Sequence, residues 1–188
     1  MFILYAIPIG IVLGLVLGGR IGRLGDLRLR WVPLALLGLL IQVLLFSTEV
    51  GSRLGDTAPK VYIASNLLVF AMVLRNVRVP GMALTAVGAA SNLVAIIAND
   101  GFMPADPTAF ASLSHRIPAY TNSAIVVDPA VPYLTDIFAL PSWMPAANVF
   151  SIGDVLLGAG VALTIALAMR APATSAESAD LGSDSRTA

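Results

Sequence analysis

The sequence predicts an all-α integral membrane protein with five transmembrane helices, and three observations carry that expectation. Apolar residues make up 57% of the 188-residue chain and charged residues 12%, with a mean hydropathy of +0.87; a soluble domain carries roughly a quarter charged residues. Apolar stretches recur at lengths suited to crossing a bilayer, which takes about 20 helical residues at ~1.5 Å rise each. Lysine and arginine fall unequally between alternate connections, the asymmetry that orients a membrane protein.

Taken in order, the spans are expected at residues 1–19, 31–47, 61–74, 79–99 and 152–169. The first is uncharged and stops at Arg20, Arg23, Asp26, Arg28 and Arg30. It lacks a basic leader, and Gly18-Gly19-Arg20 is not a small-x-small cleavage site, so it reads as a permanent helix rather than a signal peptide. The third has 14 uncharged residues between Lys60 and Arg75, about 21 Å of helix, so its flanking cations would snorkel or the bilayer would thin.

One set of connections holds Arg20, Arg23, Arg28, Arg30, Arg75, Arg78 and Arg170; the other holds Arg53, Lys60 and Arg116. That bias puts the N-terminus outside and the C-terminus in the cytoplasm, as in a multi-pass protein of the bacterial cytoplasmic (inner) membrane. Residues 1–170 then form one five-span domain, and residues 171–188, rich in Ala, Ser, Thr and Asp, a disordered cytoplasmic tail. Residues 100–150 form a long structured extracytoplasmic loop holding seven of the 12 prolines. Tyr120, Tyr133, Phe138, Trp143 and the run Ile125-Val126-Val127 argue for short pieces packed at the outer membrane interface.

Several function classes drop out. A formal net charge of zero argues against a nucleic-acid partner held by phosphate contacts. The absence of cysteine removes disulfides and thiolate metal sites. With His115 as the single histidine, no metal site is expected, and His115 is a structural residue, a proton shuttle or a ligand. No cofactor is implied, since the chain has no phosphate-binding glycine loop, dinucleotide fingerprint or Ser-His-Asp order.

Once the helices are oriented, uncharged polar residues fall at one depth. Gln42, Asn66 and Asn92 lie five to seven residues from the outer ends of the second, third and fourth spans, and Asp154 two residues into the fifth. Hydrogen-bonding groups are costly against lipid, so they should turn inward to meet each other, water or a ligand. Two readings stand: a layer that fixes helix register, or a binding site.

Asp154 is the only acidic residue placed within a span. Ser151-Ile152-Gly153-Asp154 has the form of a capping box, in which the serine hydroxyl and the carboxylate each accept an orphan N–H. The functional alternative is a carboxylate at a helix start acting as an acid/base or binding a cation. Asp136 is its candidate partner, because two close carboxylates share a proton and can activate water; a turn or cap role is the competing reading. Asn99-Asp100-Gly101 is a helix-stop and turn signal, and Asn99 and Asp100 also border the expected outer pocket. Gly10, Gly14 and Gly18 share one helix face, for packing inside the chain or for a homo-oligomer contact.

Gly18-Gly19-Arg20 after a glycine-rich helix, Asn99-Asp100-Gly101-Phe102-Met103-Pro104 and Phe150-Ser151-Ile152-Gly153-Asp154 together resemble a bacterial family of small polytopic membrane proteins, domain of unknown function 5317. Asp100 and Thr135 stand where that family's Asn-Gly-Gly-x-Met-Pro and Leu-Gly-Asp patterns have glycine. The resemblance covers nearly the whole chain apart from the tail and supplies no activity. A more local likeness is to lipoprotein signal peptidases, aspartic proteases whose paired aspartates lie at the outer membrane surface. Residues 150–154 are similar in spacing to their Phe-Asn-x-Ala-Asp motif, with Ser151 in place of asparagine; Asp136 lies at a matching separation. Gly88-Ala89-Ala90-Ser91-Asn92-Leu93 looks like part of their Gly-Asn-Leu motif, with Ala95 and Ile96 where it continues with Asp-Arg.

The expectation is an uncharacterised membrane protein whose outer polar pocket binds a lipid, a small solute or a membrane partner through Gln42, Asn66, Asn92, Asn99, Asp100, His115 and Ser151. The alternative is a hydrolase using Asp136 and Asp154 on a peptide or lipid at the outer surface, so the residues leave open whether the chain is an enzyme. Transport ranks lower, because the inner halves of the spans are almost purely Leu, Ile, Val, Ala and Gly.

Overall fold

The computed structural model describes residues 2–47, 49–112, 123–126, 128–145 and 147–170. Five longer helices dominate: α1 (Ala6–Val16), α2 (Val32–Ser47), α4 (Ala58–Arg75), α5 (Met82–Ala98) and α7 (Ile152–Ala168). Two short helices, α3 (Val50–Leu54) and α6 (Pro107–Ala111), complete the helical set among the described residues, beside 3-10 turns.

The helices stop where local chemistry stops them. Beyond α1, Gly18 takes φ 79°, and the N–H groups of Gly18 and Gly19 bond the carbonyls of Leu15 and Gly14, a Schellman ending that uses glycine's freedom at positive φ. Gly81 opens α5 at φ 89°, directly after Pro80, which moves the helix start to Met82.

The expected 14-residue third span is corrected upstream. The 3-10 turn Gly55–Thr57 joins α3 to α4, and Lys60 sits in the first turn of α4 beside Pro59, where a missing N–H is harmless. The resulting Val50–Arg75 run of 26 residues is long and apolar enough to cross a membrane; α1, α2, α5 and α7 are apolar but shorter.

Packing places the helices in the order α1, α7, α5, α4, α2. The last helix in sequence therefore sits between the first and the fourth. Its neighbours approach closely through small residues: a side chain at Gly10 would meet the Ala162 carbonyl at 2.8 Å, and Gly14 faces Ala166 and Met169. These two glycines thus have an occupant, α7, within the chain. At the far end of the row Gly38 of α2 lies against the Ser65 carbonyl of α4, and Phe46 meets Tyr62 edge-on at 5.0 Å. The two outermost helices leave apolar faces uncovered, with Ile9, Val12 and Val16 on α1 and Leu36, Leu40 and Val43 on α2 all exposed.

Backbone contacts define the two ends. At one, the Arg20 N–H bonds the Met169 carbonyl at 2.9 Å, and Arg75 lies 5.8 Å from the Trp31 ring. Asn76, buried, accepts from the Arg30 N–H and donates to the Arg30 carbonyl, both at 2.8 Å. Arg20, Arg30, Arg75, Arg78 and Arg170 therefore gather at this end. Asn76→Ala removes both tethers and is expected to lower stability by about 1–2 kcal/mol, read as a lower melting midpoint; an unchanged midpoint would contradict the tether.

At the opposite end the chain between α5 and α7 forms a head. Parallel β1 (Met103–Pro104) pairs with β2 (Ser123–Ala124), and antiparallel β3 (Phe138–Ala139) with β4 (Val149–Phe150). The Phe138 and Phe150 rings stack at 5.4 Å. The Tyr5 hydroxyl donates to the Pro145 carbonyl, which ties the start of the chain to the head. The short-pieces expectation for this loop agrees with these elements; residues 113–122, including His115 and Tyr120, and the tail 171–188 lie outside the described residues.

Candidate functional site

At the head end of the bundle a polar cluster joins the start of α7 to α5. Ser151, fully buried, takes an extended conformation before α7, and its hydroxyl oxygen accepts from the Asp154 N–H at 3.0 Å. Asp154 Oδ2 accepts from the Ser151 N–H at 3.0 Å, which completes the capping box foreseen from the spacing.

Asn92 of α5 closes the arrangement. Its Nδ2 donates to Asp154 Oδ1 at 2.8 Å, and its Oδ1 accepts from the Ser151 hydroxyl at 2.8 Å. Each side-chain oxygen of Asp154 thus accepts a hydrogen bond, and two helices brought together across 59–62 residues of sequence are joined by directional contacts. Gly153 lies beneath the Asn92 amide, whose side chain would collide with any Cβ there.

The sequence-predicted residues part company here. Asn92, Ser151 and Asp154 meet. Asn66 instead donates to the Tyr62 carbonyl of its own helix at 2.9 Å, and Gln42 is carried by α2 at the far end of the row. The single four-helix layer expected from depth is therefore corrected to a two-helix cluster: equal depth does not make helices neighbours, and α2 packs on α4 rather than on α7.

Asn99 follows α5 and clamps the head. Its Nδ2 donates to the Ala95 and Ala130 carbonyls at 2.8 and 3.0 Å, while the Ala130 N–H returns a bond to its Oδ1 at 2.9 Å. Asp100 and Gly101 turn the chain at φ 55° and 87°, with Asp100 exposed. Val131, next to the clamped Ala130, is held at φ 48°, a strained region for a β-branched residue that costs of order 1–3 kcal/mol. Asn99→Ala is expected to raise cleavage in the 128–134 segment by limited proteolysis about five- to thirty-fold, the equivalent of 1–2 kcal/mol; unchanged cleavage would contradict the clamp.

Asp136 is buried at 4% exposure and the preceding Thr135 at 2%. Its backbone is held on both sides, the N–H by the Pro104 carbonyl at 2.9 Å and the carbonyl by the Asp106 N–H at 3.0 Å. Asp106 in turn caps α6 through the N–H groups of Thr108 and Ala109. The β3–β4 register pairs Phe138 with Phe150. Because the strands are antiparallel, going back two residues to Asp136 and forward four to Asp154 leads in the same direction.

Sequence reasoning passed over other polar groups. Ser91 Oγ and Asn148 Oδ1 are buried without a hydrogen bond among the described residues, a condition that in native proteins calls for an explanation such as water or a ligand. Asn76 was legible only as an asparagine just past a helix end. Among the described residues no group of three or more His, Asp or Glu side chains is arranged to hold a metal ion.

Fold and site together define a helical bundle with one arginine-rich end and one end capped by a polar, proline-rich head. The chain belongs to the DUF5317 family, a family of unknown function whose model matches residues 26–166. Neither the curated proteins nor the solved structures give a match.

Proposed function

We propose that this is a five-span protein of the bacterial inner membrane, with the head outside, that binds an amphipathic ligand at the head: a lipid, a small solute or a segment of a membrane partner. The observation that carries the reading is the segregation of chemistry along the bundle. Asn92, Asp136, Asn148, Ser151 and Asp154 collect at one end, whereas the faces of α1 and α2 that point away from the bundle are apolar and uncovered. Exposed apolar area on that scale is unfavourable in water and ordinary in lipid. The 18-residue α4 is about 27 Å long, and α2, α5 and α7 at ~24–26 Å likewise suit a locally thinned bilayer. Tyr133 and Trp143, more than 80% exposed on the head, suit the headgroup level, where amphipathic rings are favoured.

The test is mass spectrometry of molecules that co-purify with the full chain in mild detergent, compared with Asp136→Asn. A species retained by the wild type and lost in the variant is expected; identical profiles would contradict ligand binding at the head.

A second reading, hydrolysis by Asp136 and Asp154, is favoured by the β3–β4 register that leads both residues toward one edge. Asp154 already accepts one hydrogen bond on each oxygen, from Asn92 and Ser151, so a water would have to reach its remaining lone pairs within hydrogen-bond distance. Turnover of a membrane-anchored peptide or a lipid that is lost in Asp136→Asn would support this reading, and absence of turnover by the wild type would end it.

A further inference from the structure

The end of the bundle opposite the head concentrates positive charge, which on the membrane reading above faces the cytoplasmic leaflet. Among the described residues seven arginines belong to this end, Arg20, Arg23, Arg28, Arg30, Arg75, Arg78 and Arg170, against one carboxylate, Asp26; the sequence beyond Arg170 adds Glu177, Asp180, Asp184 and Arg186. None of the seven forms an ion pair among the described residues, where Arg53–Glu49 at the other end is the ion pair present. Like charges gathered at one end repel one another, and an anion bound among them relieves that repulsion.

The surface is shaped as well as charged. A shallow groove of about 190 Å³ runs between the 3-10 turn Ile21–Asp26 with the residues after it, Val79 and Pro80 ahead of α5, and the end of α7, where Thr164 joins the lining. Leu27, Val79, Pro80, Leu167 and Ala168 supply apolar walls, while Arg23, Arg28 and Asp26 stand on the same lining. A free inorganic anion would use the arginines and waste the apolar walls; a buried acyl chain alone would waste the arginines. Both are used by a molecule that joins an anionic phosphate to a hydrocarbon chain. Basic pockets between membrane helices on the cytoplasmic side bind lipid headgroups by this combination. Asp26 favours a headgroup that also carries hydroxyl donors, because a carboxylate beside the phosphate needs a donor facing it.

We propose that this groove binds an anionic glycerophospholipid, with the phosphate at Arg23 and Arg28, a headgroup hydroxyl donating to Asp26, and part of one acyl chain along Leu27, Val79 and Leu167. The occupant is a lipid of the cytoplasmic leaflet, and binding pins the 20–30 connection to the ends of α5 and α7.

The experiment is a titration of the purified full chain in mild detergent with phosphatidylglycerol, phosphatidylcholine or inorganic phosphate, read by native mass spectrometry and by the melting midpoint. Phosphatidylglycerol is expected to bind and raise the midpoint above the response to the other two. Arg23→Gln with Arg28→Gln should weaken that binding about 25-fold, near fivefold per arginine. Arg53→Gln with Lys60→Gln, at the other end, should leave it unchanged. An equal response to phosphatidylcholine, an equal response to phosphate alone, or no loss in the Arg23/Arg28 variant would each overturn the proposal. Alkaline carbonate extraction of membranes separates this failure from that of the membrane reading: release of the chain defeats both, whereas retention without a phosphatidylglycerol preference defeats the lipid site alone.

Discussion

Gly88→Ala is expected to abolish stable packing of α5 on α7. A methyl group at Gly88 would lie 2.5 Å from the Gly153 carbonyl and would also press on the backbone of Leu157. The Gly153 carbonyl and the Leu157 N and Cα are backbone atoms of a helix, which cannot step aside as a side-chain tip can. The helices must move apart, and the displacement spreads to Gly160, where a side chain would meet the Gly81 carbonyl at 2.9 Å. Overpacking costs typically about 1–3 kcal/mol, and here the upper end is expected or exceeded, because separation also pulls Asn92 from Ser151 and Asp154. The measurement is the yield of folded, monodisperse chain together with its melting midpoint. A variant that melts with the wild type would show that α5 and α7 do not approach in this way.

The second large effect is expected at Asp154. Asp154→Ala leaves the Asn92 amide and the Ser151 N–H without their acceptor; an unsatisfied buried donor costs about 1–3 kcal/mol, and for this part-buried pair a loss of about 2–4 kcal/mol is expected. Asp154→Asn is nearly isosteric and therefore the sharper probe. Its amide offers a single acceptor oxygen, so either Asn92 Nδ2 or the Ser151 N–H faces another donor, or Asn92 flips and the Ser151 hydroxyl loses its acceptor. A lowered melting midpoint for both variants, with Asp154→Asn near Asp154→Ala, is the expected pattern. Wild-type stability in Asp154→Asn would contradict the clamp and return Asp154 to the catalytic reading.

Depth along each helix was legible in the sequence, and lateral order was not. Counting apolar residues from the flanking arginines placed Asn92 and Asp154 at one level, and they meet at 2.8 Å. The same count placed Gln42 and Asn66 with them, but nothing in one helix's periodicity tells which other helix it will touch. The insertion of α7 between α1 and α5 is a property of the whole set of glycine faces, with Gly10 and Gly14 matched to Ala162 and Ala166 and Gly88 to Gly153. The capping box was legible because its chemistry is local, four residues long and independent of packing. The α3–α4 junction was missed because Lys60 reads as a boundary when charge alone is counted, whereas a helix's first turn accepts both a charge and a proline. Asp136 was found as a residue, but its burial depends on pairing with residues 104–106, some 30 positions away and without a sequence signal.

The central claim is that the bundle crosses the membrane with the head outside and the arginine-rich end inside. Since the chain has no cysteine, single substitutions report directly on it. Ser112→Cys lies beyond α6 in the head, and Gly25→Cys lies in the 3-10 turn at the opposite end. In intact spheroplasts a membrane-impermeant thiol reagent is expected to label the first and not the second, with both labelled after permeabilisation. Labelling of Gly25→Cys alone would invert the orientation, and labelling of neither or of both before permeabilisation would contradict the membrane-spanning account.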